Sequence, residues 1–292
     1  MFNFDEKYNE YLNYFNENLD IAFKKLQTIN DNKILEACIY SVKNCGKRIR
    51  PVLCLSTAEM LGINKEEVIN LAIAIELIHS YSLVHDDLPC MDNDDFRRGK
   101  LSTHKKYGEA YGVLCGDALL NLAFEIALDK NDISLDYVKA LKLIANYAGF
   151  SGMIFGQTLD IEAEKSTNIS EENLYDIYLN KTAKLLTAPL LVASLINKKI
   201  YFETLKTIGN YLGYLFQIQD DILDEIGEKE VIGKTAHKDK DQNKLTAVKL
   251  YGLEKSKEKV DFYFNSIINL LKEIPNSEFL SQFVYKIYAR KS

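Results

Sequence analysis

Apolar residues recur at helical spacing along almost the whole chain, and period-2 alternation is convincing nowhere. Over 66–88, Val68, Leu71, Ala72, Ile75, His79, Ser82 and Asp86 fall along one face of a predicted helix. Segments 113–128, 136–159, 171–196 and 203–225 read as helices too, with apolar positions too dense for solvated surface helices. Several of them therefore belong inside a helical bundle. Two segments break the pattern. One is 89–112, which opens on Pro89 and holds Gly99, Gly108 and Gly112; the other is 227–244, whose charge predicts a solvated loop or flap. Each follows an aspartate-rich helix end, which points to one shared site at one end of the bundle.

Composition sharpens the fold class. Fourteen glycines and four prolines in 292 residues are about half the usual share, too few for the turns of an all-β fold. No internal repeat or Pro/Ser-rich linker divides the chain, so residues 1–292 are expected to form a single all-α domain. The net charge of −6 disfavours a nucleic-acid partner. Five cysteines without a CxxC pair argue against a disulfide framework or structural zinc and fit a reducing compartment. The N-terminal stretch is acidic and amphipathic, and no run of 18 consecutive apolar residues occurs; the expectation is a cytoplasmic protein without membrane insertion.

The positive charges are unevenly chosen. Against 31 lysines stand five arginines: Arg48, Arg50, Arg97, Arg98 and Arg290. Guanidinium forks suit phosphate or carboxylate in a way that a lysine point charge does not.

Two acidic clusters carry the candidate chemistry. Asp86, Asp87, Asp92, Asp94 and Asp95 fall within ten residues at the end of an apolar helix, where acid opposes the helix dipole. Such crowding calls for a cation, and magnesium characteristically takes one or two carboxylates while substrate phosphates complete its shell. Pro89 ends the helix and lets Asp92 fold back towards Asp86. The second cluster is Gln217, Asp220, Asp221 and Asp224, in which Gln217, Asp220 and Asp224 share a helix face. Around them stand Lys47, Arg48 and Arg50 in GKRIRP, then Arg97-Arg98, Lys181-Thr182, Lys234 and Lys244. Singly, Lys234 and Lys244 read as surface cations, and His79 as a hydrogen-bonded core histidine. Together with metal-binding carboxylates these residues describe a site for two multiply charged anions. No Ser-His-Asp arrangement, GxGxxG fingerprint or P-loop is present.

GKRIRP (46–51), IELIHSYSLVHDDLPCMDNDDFRRG (75–99), GMIFGQTLD (152–160), KT (181–182) and FQIQDDILD (216–224) resemble, in order and spacing, the motifs of short-chain trans-prenyl diphosphate synthases, most closely the bacterial farnesyl diphosphate synthases. The resemblance implies the isoprenoid synthase fold, a helical bundle around a deep central cavity, as a homodimer. It implies isopentenyl diphosphate and an allylic diphosphate as substrates, with three magnesium ions on Asp86, Asp92 and Asp220, supported by Asp87, Asp221 and Asp224. It assigns catalytic roles to Asp86 and Lys181. Arg97, Lys181, Thr182, Gln217 and Lys234 would hold the allylic diphosphate; Lys47, Arg50, His79 and Arg98 would hold isopentenyl diphosphate. Lys244 stands where the family commonly has a GKxTYP-like turn, here NKLTAV, and is the weaker match. Tyr81, five residues before Asp86, would limit product length from the cavity wall, its alternative being plain core packing. Other chain lengths, a class I terpene cyclase and a non-catalytic prenyltransferase subunit are the competing readings. The cyclase has no need of GKRIRP, and the subunit predicts eroded aspartate motifs.

Overall fold

The computed structural model describes residues 2–43, 46–165, 170–231 and 245–290. They form two compact units, 1–141 and 142–292.

In the first unit, α1 (Phe4–Ile29) lays Tyr11, Phe15, Leu19 and Phe23, spaced four apart, into the core. The short helices α2 (Lys33–Lys43) and α3 (Ile49–Met60) flank α4 (Lys65–Asp86). α4 is apolar on nearly every side and, Asn70 apart, buried from Val68 to Ile78, as befits the unit's central helix. A two-residue hairpin, β1 (Phe96–Arg97) and β2 (Lys100–Leu101), and the short α5 (Thr103–Tyr107) follow. The unit then packs α6 (Glu109–Leu128) along α4. Two glycines of α6 make that approach possible. A Cβ at Gly116 would lie 2.0 Å from His85 Nε2, and one at Gly112 would lie 2.9 Å from Leu88 Cδ2. The helix α7 (Leu135–Ala148) runs from this unit into the next.

The second unit is built on α8 (Met153–Ala163), α9 (Glu171–Ile177), a π-helical segment (Tyr178–Ala183), α10 (Lys184–Ile196) and α11 (Phe202–Val231). α12 (Ala247–Tyr251), α13 (Leu253–Leu271) and α14 (Glu278–Tyr288) complete it against α11. α10 is buried from Leu185 to Leu195. On α11, Gly209 and Gly213 form a small-residue stripe: a Cβ at either would come within 2.6 Å of Thr187 or 2.2 Å of Ala183.

The all-helical class holds, and several boundaries move. The helix expected over 136–159 is two helices, broken at Gly149–Gly152, where the chain turns. The helix expected over 171–196 carries the π segment in its middle. α11 continues to Val231, into the stretch expected to be a loop. Within 89–112 lie the hairpin, α5 and the first turn of α6. Three helical stretches (Lys65–Asp86, Glu109–Leu128 and Glu171–Ile196) are long and apolar enough to cross a membrane, although none is an unbroken run of 18 apolar residues. The first and third are spent mostly on the protein's own core. Cys38, Cys54, Cys90 and Cys115 carry free thiols.

Candidate active site

The first acidic cluster is a tight reversal. α4 ends at Asp86, and Pro89, which has no N–H to donate, follows the helix end. The Asp92 amide donates to the Asp86 carbonyl at 2.9 Å, and Asp94 to the Asp87 carbonyl at 3.2 Å. The chain folds back around Leu88, with Asn93 at a positive φ of 53° and its amide on the Leu88 carbonyl. Asp92 thus returns to Asp86, as the proline led one to expect.

Asp87 goes the other way. It is buried, and its Oδ1 accepts from Arg97 Nε at 2.9 Å and from Arg97 Nη2. Desolvation holds its pKa above the ordinary carboxylate value, against the opposing pull of that guanidinium. Asp87 and Arg97 therefore face each other.

The cationic cluster gathers in the same unit. Arg48 caps α3 in the left-handed region (φ 48°) and makes a buried ion pair with Glu76 of α4 at 2.9 Å. The two-residue loop Arg98-Gly99 has positive φ at both positions, 54° and 76°, as a type I′ hairpin turn requires. That turn delivers the Arg98 guanidinium against Gly46 of GKRIRP, 3.4 Å from where a Cβ would stand. His79 lies under the field of Arg50, Arg98, Arg48 and Arg97; burial first, and then these charges, hold its pKa well below 6.5. The imidazole is neutral at pH 7. Burial likewise lowers Arg50 to about 10, and its Nε is buried with no hydrogen-bond partner among the described residues. A clustered set of guanidiniums with an orphaned donor fits a polyanion. Lys47 is exposed, and the structure fixes it through its carbonyl, which accepts the Tyr8 hydroxyl.

Tyr81 is buried, edge-on to His85 with ring centroids 5.9 Å apart, and its hydroxyl has no partner among the described residues. Burial, with a contribution from Asp86, pushes that phenol up to about 12.

In the second unit the π segment presents Lys181 and Thr182. Gly156 of α8 packs against its backbone so closely that a Cβ would lie 2.1 Å from Lys181 N. Lys181 pairs with Asp160, and Thr182 donates to Gln217 Oε1 at 3.0 Å. On α11, Gln217 donates to Asp221 Oδ1 at 3.3 Å. Asp221 is buried and accepts the Tyr178 hydroxyl and the Ala247 amide, the latter at 2.7 Å. Burial lifts its pKa to about 6 despite those donors. Asp220 is half-buried and pairs with Arg290, whose guanidinium also stacks over Phe216 at 4.3 Å and donates to its carbonyl at 3.0 Å. Asp224 is exposed. Lys234 and Lys244 lie outside the described residues.

In each Asp-Asp pair, then, the second carboxylate is buried in protein contacts and the first is more open. Among the described residues no three His, Cys, Asp or Glu side chains converge closely enough to hold an ion unaided. The open carboxylates of Asp86, Asp92 and Asp220 are hard oxygen donors, the ligand type that magnesium takes. Residues that motif reading gave no role are Tyr178, Asp160 and Glu76; Arg48, read as part of the anion site, is spent instead on its buried pair with Glu76. Asp160 closes a quoted motif, but nothing local marks Tyr178 or Glu76.

The polyprenyl synthetase family profile matches residues 31–282. The chain is 40% identical over 267 residues to a farnesyl diphosphate synthase of Micrococcus luteus, covering 91% of this chain and 90% of that one. It is 42% identical over 252 residues to geranylgeranyl pyrophosphate synthase 4 of Arabidopsis thaliana, covering 84% of this chain and 66% of that one. Its fold is similar to a geranyltransferase of Helicobacter pylori solved with magnesium and isoprenyl diphosphate, at a TM-score of 0.76, 31% identity and 95% coverage of both chains. The chain belongs to the polyprenyl synthetase family and is a trans-prenyl diphosphate synthase.

Proposed function

We propose that the enzyme condenses isopentenyl diphosphate with dimethylallyl and then geranyl diphosphate, releasing pyrophosphate each time and stopping at farnesyl diphosphate. The observation that carries the two-diphosphate reading is the cluster of Arg50, Arg98 and neutral His79, with the Arg50 Nε left unpaired. Arg50, Arg98, His79 and Lys47 hold isopentenyl diphosphate; the imidazole contributes an N–H and no charge. Arg97, Lys181, Thr182 and Gln217, with Lys234 from the undescribed stretch, receive the allylic diphosphate.

Asp86, Asp92 and Asp220 would hold magnesium, three ions in all, which when bound supplies positive charge where the leaving diphosphate becomes an anion. Lys181 stands ready with a preorganised cation for the same charge. The allylic C–O bond breaks, the isopentenyl double bond supplies the electron pair for the new C–C bond, and the proton lost from the isopentenyl unit goes to the departing pyrophosphate. No protein nucleophile is required. Water has to be kept from the site, since it would otherwise capture the cation.

Fifteen carbons is the favoured length on Tyr81, whose ring is buried about 7.5 Å from Asp86 along α4 at 1.5 Å per residue. The alternative is geranylgeranyl diphosphate, and the plant relative's 42% identity keeps it in view. We place the protein in the cytoplasm, consistent with its free thiols, and as a homodimer, for which the exposed Val113, Leu114 and Leu128 of α6 offer an apolar face. Incubation of purified protein with magnesium, isopentenyl and dimethylallyl diphosphates, followed by product chromatography, tests the reading. Release of a fifteen-carbon product supports it; a twenty-carbon product corrects the length, and no condensation refutes it.

A further inference from the structure

We infer that Asp221 and Tyr178 are positioning residues: they form a latch that holds the lysine-bearing π segment and the start of α12 in register with Asp220, and Asp221 is no ligand of an ion. This rests on the reading above, in which Asp220 holds an ion and Lys181 meets the departing diphosphate.

The hydrogen bonds close a ring. The Tyr178 hydroxyl donates to Asp221 Oδ2, and Gln217 Nε2 donates to Asp221 Oδ1 at 3.3 Å. Thr182 donates to Gln217 at 3.0 Å, and the π backbone returns from Thr182 to Tyr178. Lys181 sits inside that loop of contacts. The Ala247 amide, first in α12, reaches both Asp221 Oδ2 at 2.7 Å and the Tyr178 oxygen at 2.9 Å. Three protein donors thus occupy a buried carboxylate that has about four acceptor positions. An ion would have to strip them away, whereas Asp220 beside it is half-buried and Asp224 exposed. On either side Gly156 and Gly213 leave no space for a Cβ against the segment, so the ring sits on a backbone that cannot slide. A turn fixed on both faces and tied at both ends is what a fixed Lys181-to-Asp220 distance requires, and a misplacement of ~1 Å is worth up to ~10² in rate.

The test compares Tyr178→Phe, Asp221→Asn and the double variant with Asp220→Asn in the full-length protein. Hydrogen exchange of the 245–251 segment, measured without magnesium or substrate, should quicken in the first three and stay at the parent rate in Asp220→Asn. In kinetics, kcat should fall about tenfold or more in Tyr178→Phe and Asp221→Asn, and the double variant should be no worse than Asp221→Asn alone, because both act through one unit. The magnesium concentration for half-maximal rate and KM for isopentenyl diphosphate should stay within about twofold of the parent; a tenfold shift would mean ~1.4 kcal/mol of lost binding. An Asp221→Asn enzyme whose magnesium requirement rises tenfold while Tyr178→Phe keeps full kcat would make Asp221 a ligand and overturn the latch. Unchanged exchange in Tyr178→Phe would overturn it as well. Full activity in Asp220→Asn would instead defeat the catalytic reading, leaving the exchange data to judge the latch alone.

Discussion

Asp92 hydrogen-bonds back to Asp86 through the backbone at 2.9 Å, six residues apart on a chain whose helix has just ended. A straight helix would have carried their carboxylates to different faces; the Pro89 turn brings the two residues to one place. Replacing Asp86 with alanine should lower turnover by at least the ~10²–10³ that follows loss of one preorganised charge contact. Asp220→Ala should do the same. Far-ultraviolet circular dichroism should be unchanged in both, and near-normal turnover in either would defeat the two-cluster metal arrangement.

Arg98 is held on a hairpin tip with a positive φ and brought to Gly46, whereas Lys105 is an exposed partner of Asp95 at 2.9 Å. Arg98→Lys should therefore raise KM for isopentenyl diphosphate far more than Lys105→Arg does, although each keeps its charge. Equal steady-state constants for the two variants would mean the guanidinium fork has no special use.

His79 gives stability a pH dependence. Its folded pKa is depressed below 6.5 by burial and by Arg50, Arg98, Arg48 and Arg97, so the unfolded chain binds a proton that the folded one refuses. Stability is whole above 6.5 and falls as pH drops from there towards the folded pKa. In urea titrations of the metal-free protein between pH 7 and pH 5 the parent should lose more stability than His79→Gln, the raised carboxyls of Asp221 and Asp87 acting with the opposite sign in both. An equal slope in the variant would assign the acid sensitivity elsewhere.

Gly213→Ala sets two effects against each other. In a helix interior alanine gains up to ~1 kcal/mol over glycine. Here the new methyl would lie 2.2 Å from Ala183 Cβ and 2.4 Å from its Cα, and overpacking of that kind costs ~1–3 kcal/mol. The clash wins, so thermal unfolding should occur at a lower temperature. A rise in Tm would show that α11 and the π segment can part without loss.

Tyr81→Ala should shift products towards twenty carbons or longer, at ~3–5 kcal/mol of stability if the ring is replaced by a cavity. Tyr81→Phe is the control. It keeps the ring, removes a buried hydroxyl that lacks a partner, and should hold the product at fifteen carbons with stability equal or higher. A folded Tyr81→Ala enzyme that still stops at fifteen would return Tyr81 to the core.

What the sequence made legible was local. Pro89 announced the fold-back of Asp92, the arginine pairs announced a cluster of guanidiniums, and dense apolar residues at helical spacing announced buried helices within 66–88 and 171–196. What escaped depended on neighbours across space. Asp220 and Asp221 are adjacent and chemically alike, yet only Tyr178 and the Ala247 amide decide that Asp221 is the buried one. Gln217 is within a helical turn of both Asp220 and Asp221, and only the folded chain shows that it donates to Asp221 and accepts from Thr182. The π turn leaves no mark in the sequence pattern, because the apolar positions on either side of Lys181 and Thr182 are too dense to show a shift of one residue.

That extra residue amounts to a phase shift. A π turn accommodates one more residue than the α turn it replaces. Each residue of an α-helix advances the side-chain direction by ~100°. Everything in α10 after Ala183 is thus rotated by about that angle from where α9 alone would have aimed it. Removing a single residue between Tyr178 and Ala183 would leave composition, charge and helix content almost untouched while turning the whole of α10 out of phase with α11. A point deletion there would act like a frameshift written in three dimensions.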